Sequence, residues 1–239
     1  MRPRLHRAAP AFNGGRLARP SAFCLLCYTA RAMARIIGLF IWAICFSAWG
    51  QSVQEQLFEA IAAGNEPEVA RLVAAGVHYT ARNEEGEPPL IAASERGDAA
   101  LVKLLLDAGA DVHGRSSNGE TALHLAALQD DPSVARLLIA RGAERDAVNA
   151  DGETPLMWAC LTPSLEVARL LVESGASLSR ADVNGNTPLH AAAAQGFVEV
   201  AAYLVARKAN RNARNRSGQT PLELARSRGQ QAIADLMRR

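Results

Sequence analysis

The sequence predicts an all-α solenoid of about six stacked 33-residue units, each a helix–turn–helix with a short β-turn or hairpin at its tip. Three observations predict it. Glycine recurs every 33 residues at Gly86, Gly119, Gly152, Gly185 and Gly218. Leucine holds one register at Leu57, Leu90, Leu123, Leu156, Leu189 and Leu222. Alanine holds another at Ala60, Ala93, Ala126, Ala159, Ala192 and Ala225. Six matches out of six in two separate columns exclude coincidence. A period of roughly 20–50 residues marks supersecondary units that bury their apolar face only by stacking.

Each column has a physical task. The first helix of a unit opens on Gly-x-Thr-Pro-Leu, complete at Thr154-Pro155, Thr187-Pro188 and Thr220-Pro221. Glycine closes a turn, threonine caps the free amides, and proline occupies the first helical position, where its missing N–H costs nothing. The alanine column lets neighbouring units approach closely. Gly64, Gly97, Gly196 and Gly229 break the first helix from the second. The second helix is rich in Val and Leu and carries Leu72, Leu105, Leu138, Leu171 and Leu204. Gly76, Gly109, Gly142 and Gly175 end it as left-handed caps.

Departures from the pattern are informative. Pro88 stands where the capping Thr belongs, which weakens that helix start by roughly 1 kcal/mol. Asp130 and Pro163 replace the inter-helix glycine, so those two bends are expected to differ in shape. Lys208 replaces the terminal glycine of the fifth unit. A left-handed Lys costs about 1 kcal/mol, so the chain is expected to leave that helix another way.

The segments Thr121-Ala-Leu-His-Leu-Ala-Ala, Thr187-Pro-Leu-His-Ala-Ala-Ala and Gly109-Ala-Asp-Val resemble the ankyrin-repeat signature. The resemblance covers about residues 51–239. It implies L-shaped units of two antiparallel helices with a protruding turn, stacked into a curved solenoid. The units run over about 52–81, 82–114, 115–147, 148–180, 181–213 and 214–239. The first lacks the Thr-Pro-Leu opening and is dressed by Glu55, Glu59, Glu66 and Glu68. The last has Glu223 at the histidine position, so both read as caps. The resemblance also implies that His124 and His190 are structural and hydrogen-bond neighbouring turns.

Proteins of this family bind partner proteins through turn tips and the exposed, concave face of the first helices. Carried over by register, the tip candidates are Glu84, Glu85 and Glu87, then Ser117, Asn118 and Glu120, then Asp151 and Glu153, then Asn184 and Asn186, and Arg216. First-helix candidates are Glu95, Arg96, Leu128, Gln129, Leu161 and Gln195. Trp158 belongs to this set as an interface anchor, against the competing reading that it fills a widened groove beside Met157.

Composition narrows the function further. No Asp or Glu precedes Glu55, whereas seven arginines do; the chain beyond residue 50 carries 19 Lys+Arg against 24 Asp+Glu. Charge along it is graded, with four basic and 11 acidic groups over residues 51–112 and nine basic and two acidic over 207–239. An acidic chain whose basic zone lacks interleaved aromatics does not suit nucleic acid. Residues 1–50 read as a basic leader and signal peptide. Met33-Ala-Arg35 is followed by an apolar run from Ile36 to Phe46, and small Ala48 and Gly50 precede Gln51. The reading is a start at Met33, cleavage near Gly50/Gln51, and a secreted or bacterial periplasmic chain. An uncleaved anchor or an organellar transit peptide are the alternatives, though the run falls short of the roughly 20 residues of a bilayer span.

No catalytic residues, cofactor or metal are expected. His78 and His113 have no companions at metal-ligand spacing, and neither a phosphate loop nor a nucleophile elbow occurs. Cys24 and Cys27 have redox-motif spacing but no strand–helix unit around them. Cys160 is expected to be a buried small hydrophobe, with a thiol-dependent redox factor as the competing reading. The expected activity is therefore non-catalytic binding of a protein partner by a monomer. A membrane-anchored or self-associating scaffold is the alternative.

Overall fold

The computed structural model describes residues 53–77 and 81–238. The segment read from the sequence as a leader and signal peptide, with Cys24, Cys27 and Cys45, and His78 lie outside the described residues. Among the described residues, twelve helices alternate in two sets. The first helices of the units are α1 (53–63), α3 (Pro89–Glu95), α5 (Ala122–Ala126), α7 (Pro155–Ala159), α9 (Pro188–Gln195) and α11 (Pro221–Ser227). The second helices are α2 (Glu66–Ala74), α4 (Ala99–Asp107), α6 (Ser133–Ala140), α8 (Leu165–Glu173), α10 (Val198–Ala206) and α12 (Gln231–Arg238). First helices pack on first helices and second on second, with α3, α5, α7, α9 and α11 in one layer and α2, α4, α6, α8, α10 and α12 in the other. Every unit thus buries its apolar faces against its own partner helix and against the units before and after it.

The sequence columns become the core. Leu57, Leu123, Leu156 and Leu189 are at most 1% exposed, as are Leu105, Leu138, Leu171 and Leu204 in the second layer. Each such leucine contributes about 1.5–3 kcal/mol of burial. The alanine column is as deeply buried, with Ala93, Ala126, Ala159, Ala192 and Ala225 all at 0%. Leu222 alone in its column is half-buried.

The departures behave in two ways. Asp130 and Pro163 do change the bend: α5 and α7 are five-residue helices, against seven or eight in α3, α9 and α11. Neither position takes a positive φ, unlike Gly97 and Gly196. The chain leaves α7 instead through a turn in which the Thr162 hydroxyl donates to the Ala159 carbonyl at 3.0 Å. Pro88 offers α3 no side-chain cap, as the sequence implies. Lys208 corrects the expectation. It adopts φ +69° and leaves α10 as the glycines leave the other second helices. Its amide donates to the Val205 carbonyl and that of Ala209 to the Leu204 carbonyl, both at 2.9 Å. Gly175 and Ala176 make the same pair of bonds to Val172 and Leu171. Ala209, 7% exposed, fills the place taken by Ala110, Ala143 and Ala176. Two satisfied carbonyls and that buried methyl outweigh a strain of about 1 kcal/mol.

The five tips are five-residue closed turns. In each, the first amide donates to the carbonyl four residues on, as from Ser116 to Glu120 at 2.8 Å, and the glycine amide returns to the first carbonyl, as from Gly218 to Asn215 at 2.8 Å. Only Arg115 and Thr121 form a β-bridge among the described residues. From the second tip onward, successive tips are joined main chain to main chain: Ala150 donates to Asn118 at 2.8 Å, Val183 to Asp151 at 2.9 Å and Arg216 to Asn184 at 2.8 Å. This close approach, as well as a positive φ, demands glycine at residue 185. A Cβ there would lie 2.9 Å from the Arg216 amide nitrogen, whereas one on Gly218 meets nothing within 4 Å. Both residues have nearly equal φ, +76° and +74°. Gly218→Ala is therefore expected to cost about 1 kcal/mol and Gly185→Ala about 2–4 kcal/mol in urea unfolding. Equal losses would show that the tips tolerate separation.

Candidate functional site

The candidate contact surface consists of the turn apices and the C-terminal ends of the first helices. A residue column not anticipated from the sequence builds it: Asn83, Ser116, Asn149, Asp182 and Asn215. Each side-chain oxygen accepts two amides of its own turn, from the residues two and four positions on. Asn83 Oδ1 takes Glu85 N at 3.1 Å and Glu87 N at 2.7 Å; Asp182 Oδ1 takes Asn184 N at 2.8 Å and Asn186 N at 2.7 Å. The signal was present in the sequence as a short acceptor three residues before every tip glycine, a local Asx or Ser turn.

These turns sort the expected contact residues. Glu84, Glu85, Ser117, Asn118, Asp151, Asn184 and Arg216 are exposed at the apices. Glu87, Glu120, Glu153 and Asn186 are half-buried with their side chains turned inward. Glu87 accepts from Asn83 Nδ2 at 3.2 Å, Glu120 from the Ser116 hydroxyl at 3.0 Å, and Glu153 from Asn149 Nδ2 at 3.1 Å. Asn186 donates to Asp182 at 3.0 Å and accepts from Asn215 at 2.9 Å, which joins two tips.

On the helices, Glu95, Arg96, Leu128, Leu161 and Gln195 are exposed and Gln129 is half-buried. Arg96 and Gln129 reach back across a unit boundary. Arg96 Nη1 donates to the Ala62 carbonyl, and Gln129 Nε2 donates to the Glu95 carbonyl at 2.9 Å. Each lies over the inter-helix glycine of the preceding unit, Gly64 and Gly97, where a Cβ would collide with it.

Trp158 does two things. Its ring meets His124 edge-on, with centroids 5.3 Å apart and planes at 75°. Its Nε1 donates to Glu153 Oε2 at 2.8 Å. Its neighbour Met157 is buried at 4% exposure. The indole is thus anchored by its polar edge to its own tip and stays half-buried on the face.

His124 and His190 are fully engaged. His124 Nδ1 accepts from the Thr121 amide at 3.1 Å and the Thr121 hydroxyl at 2.9 Å, and Nε2 donates to the Glu153 carbonyl of the next unit at 3.1 Å. His190 repeats this with Thr187 at 3.2 and 2.9 Å and with Gln219 at 3.0 Å. At the end of the stack Glu223 takes the position. Its Oε2 accepts from the Thr220 amide at 2.7 Å and hydroxyl at 3.1 Å. Cys160 is fully buried, and burial pushes its thiol well above the usual range. A thiol in that state is a poor nucleophile, which counts against the redox reading. No cluster of metal-ligating side chains occurs among the described residues.

Between units one and two lies an open groove of about 370 Å³, lined by Phe58, Ile61 and Ala62 of α1, by Asn83, Glu85 and Glu87 of the tip, and by Ala92, Glu95 and Arg96 of α3. Burial raises the Glu87 carboxyl above its ordinary range, and Glu85, Glu95 and Glu120 push it the same way.

A family model described as ankyrin repeats (3 copies) matches residues 57–147, 90–182, 126–215 and 177–238. The chain belongs to the ankyrin-repeat family. By register the tips and the free ends of α3, α5, α7 and α9 are the candidate contact positions, and His124 and His190 bridge successive units. No curated protein matches the chain significantly. None of the described helices is long and apolar enough to cross a membrane.

Burial of His124 and His190 is expected to make the ankyrin stack acid-sensitive. Burial lowers His124 from 6.5 to about 4, and it lowers His190 as well. On acidification the unfolded chain takes up the proton first, so this stability is complete above about pH 6.5 and lost as pH falls towards 4. His124 alone is expected to remove about 2 kcal/mol between about pH 7 and about pH 5, read by urea unfolding. A His124→Asn protein should be less stable at neutral pH yet show a shallower slope; an unchanged slope would exclude His124 as the source.

Proposed function

We propose that the ankyrin stack is a non-catalytic module that binds a protein partner through its tips and first-helix face, and that it works outside the cytoplasm. One observation carries the binding reading. Leu128 and Leu161, one repeat apart in the turns just beyond the C-terminal ends of α5 and α7, are each 40% exposed, beside half-buried Trp158. The fold has no use for large apolar side chains there, since the same register holds Glu95 and Ala194 in neighbouring units. Surplus apolar area on one face, rimmed by polar apices, is what a contact surface requires. The non-catalytic reading is supported by the engagement of both nitrogens of His124 and His190 and by the burial of Cys160.

A photo-crosslinking residue placed at position 161 should capture a defined protein from extracts of the native host. The same residue at Glu166, exposed on α8 of the other layer, should capture none. Equal capture at both sites would remove the proposed face. The location rests on the signal-peptide pattern at residues 33–51. N-terminal sequencing of the native chain is expected to begin at or near Gln51, with the protein in the periplasmic or secreted fraction. An intact leader on a cytoplasmic chain would defeat it.

A further inference from the structure

The first-helix face differs in chemistry from unit to unit. At its start, the groove between units one and two is bordered by Glu85, Glu87 and Glu95 over an apolar floor of Phe58, Ile61 and Ala92. Arg96 is the single cation among its lining residues, and its guanidinium is drawn onto the Ala62 carbonyl. Glu120, on the next tip, adds to the negative field there. One and two units further along, the face turns apolar, with Leu128 and Leu161 exposed beside half-buried Leu125 and Trp158. Carboxylates in a sheltered groove next to uncovered apolar side chains select their occupant by charge and by shape together.

We propose that this face binds an extended segment of a partner protein whose lysine or arginine side chains enter the Glu85–Glu87–Glu95 groove while a nearby aromatic or aliphatic side chain packs on Leu128, Leu161 and Trp158. The inference rests on reading this face as a protein-contact surface, and it adds the partner's chemistry and direction. Cationic heads satisfy the crowded carboxylates, and their aliphatic stems cover Phe58 and Ala92. Packed helices lie roughly 8–10 Å apart, so about 10–20 Å separates the groove from the apolar patch. An extended chain covers that in about three to six residues. An acidic segment meets like charge at the groove and is rejected.

The test uses fluorescein-labelled peptides with three lysines, a Gly-Ser spacer of about four residues and a Phe-Leu end, read by fluorescence anisotropy against the full chain. One control replaces the lysines by glutamates, another the Phe-Leu by Ser-Ser. The basic–apolar peptide is expected to bind about tenfold tighter than either control and to weaken several-fold between about 50 and about 300 mM salt. The paired neutralisation Glu85→Gln with Glu95→Gln should cost about tenfold, and so should Leu128→Ser with Leu161→Ser. Glu166→Gln, in the other layer, should leave binding unchanged. The salt series on the unaltered protein stands even where a variant fails to fold. Equal binding of the acidic peptide, still weakened by the two serine substitutions, would overturn the basic partner and leave the contact face intact. Binding insensitive to both pairs would overturn both readings. No binding of the basic peptide at about millimolar concentration would overturn the proposal, with the crosslink at position 161 then deciding the broader reading.

Discussion

A column of methyl groups sets the dimensions of this protein. Ala93, Ala126, Ala159, Ala192 and Ala225 are wholly buried where successive first helices meet. Their small size lets those helices approach closely enough for the rest to follow: amides of one tip reach carbonyls of the last, and His124 and His190 span the gap to the next unit. A larger side chain in the column would part the helices, and with them the tip-to-tip hydrogen bonds. In a quasi-one-dimensional stack, where stability is the sum of unit and junction terms, the loss would fall on one junction.

The junctions are not equal. Those after units three and five carry a histidine bridge, while the corresponding residues of units two and four are buried Ile91 and Met157. Unit four recovers some specificity through Trp158, which ties its indole to its own tip and its ring to His124 of the preceding unit. Polar bridging and apolar filling thus alternate along the core at one position of the repeat. The fold tolerates either because each satisfies its own demand: a histidine with both nitrogens paired, or an apolar side chain with none to pair.

Much of this was legible in the sequence, because the core obeys a strict period and the glycines that leave it take the left-handed conformation the pattern requires. What escaped was local competition. Lys208 was expected to avoid a left-handed backbone on its own propensity, but Ala209 and two carbonyls fix the path. Asn83, Asn149, Asp182 and Asn215 share no residue type with Ser116, so a search for identical residues passes over a column defined by hydrogen-bond geometry. The candidate contact residues were legible as positions rather than as states. Glu87, Glu120, Glu153 and Asn186 sit where register puts them, yet their side chains brace the tips, and Arg96 and Gln129 clasp the unit behind. Register gives the direction of a Cβ; it does not give the partner that a long polar side chain finds.

The carboxylate of Glu223 closes the stack in a chemical sense. A bridging histidine has two faces of action: one nitrogen receives the protons of its own threonine, and the other offers a proton forward to a carbonyl. Glu223 keeps only the receiving function, towards Thr220, and has nothing to offer a successor. The array is therefore polar along its length in the way a polymer with a chain terminator is. It can gain members by duplication of an interior unit such as the third or fifth, each of which carries its own forward link. Copying the sixth would add a unit to which its neighbour extends no side-chain bridge from this position.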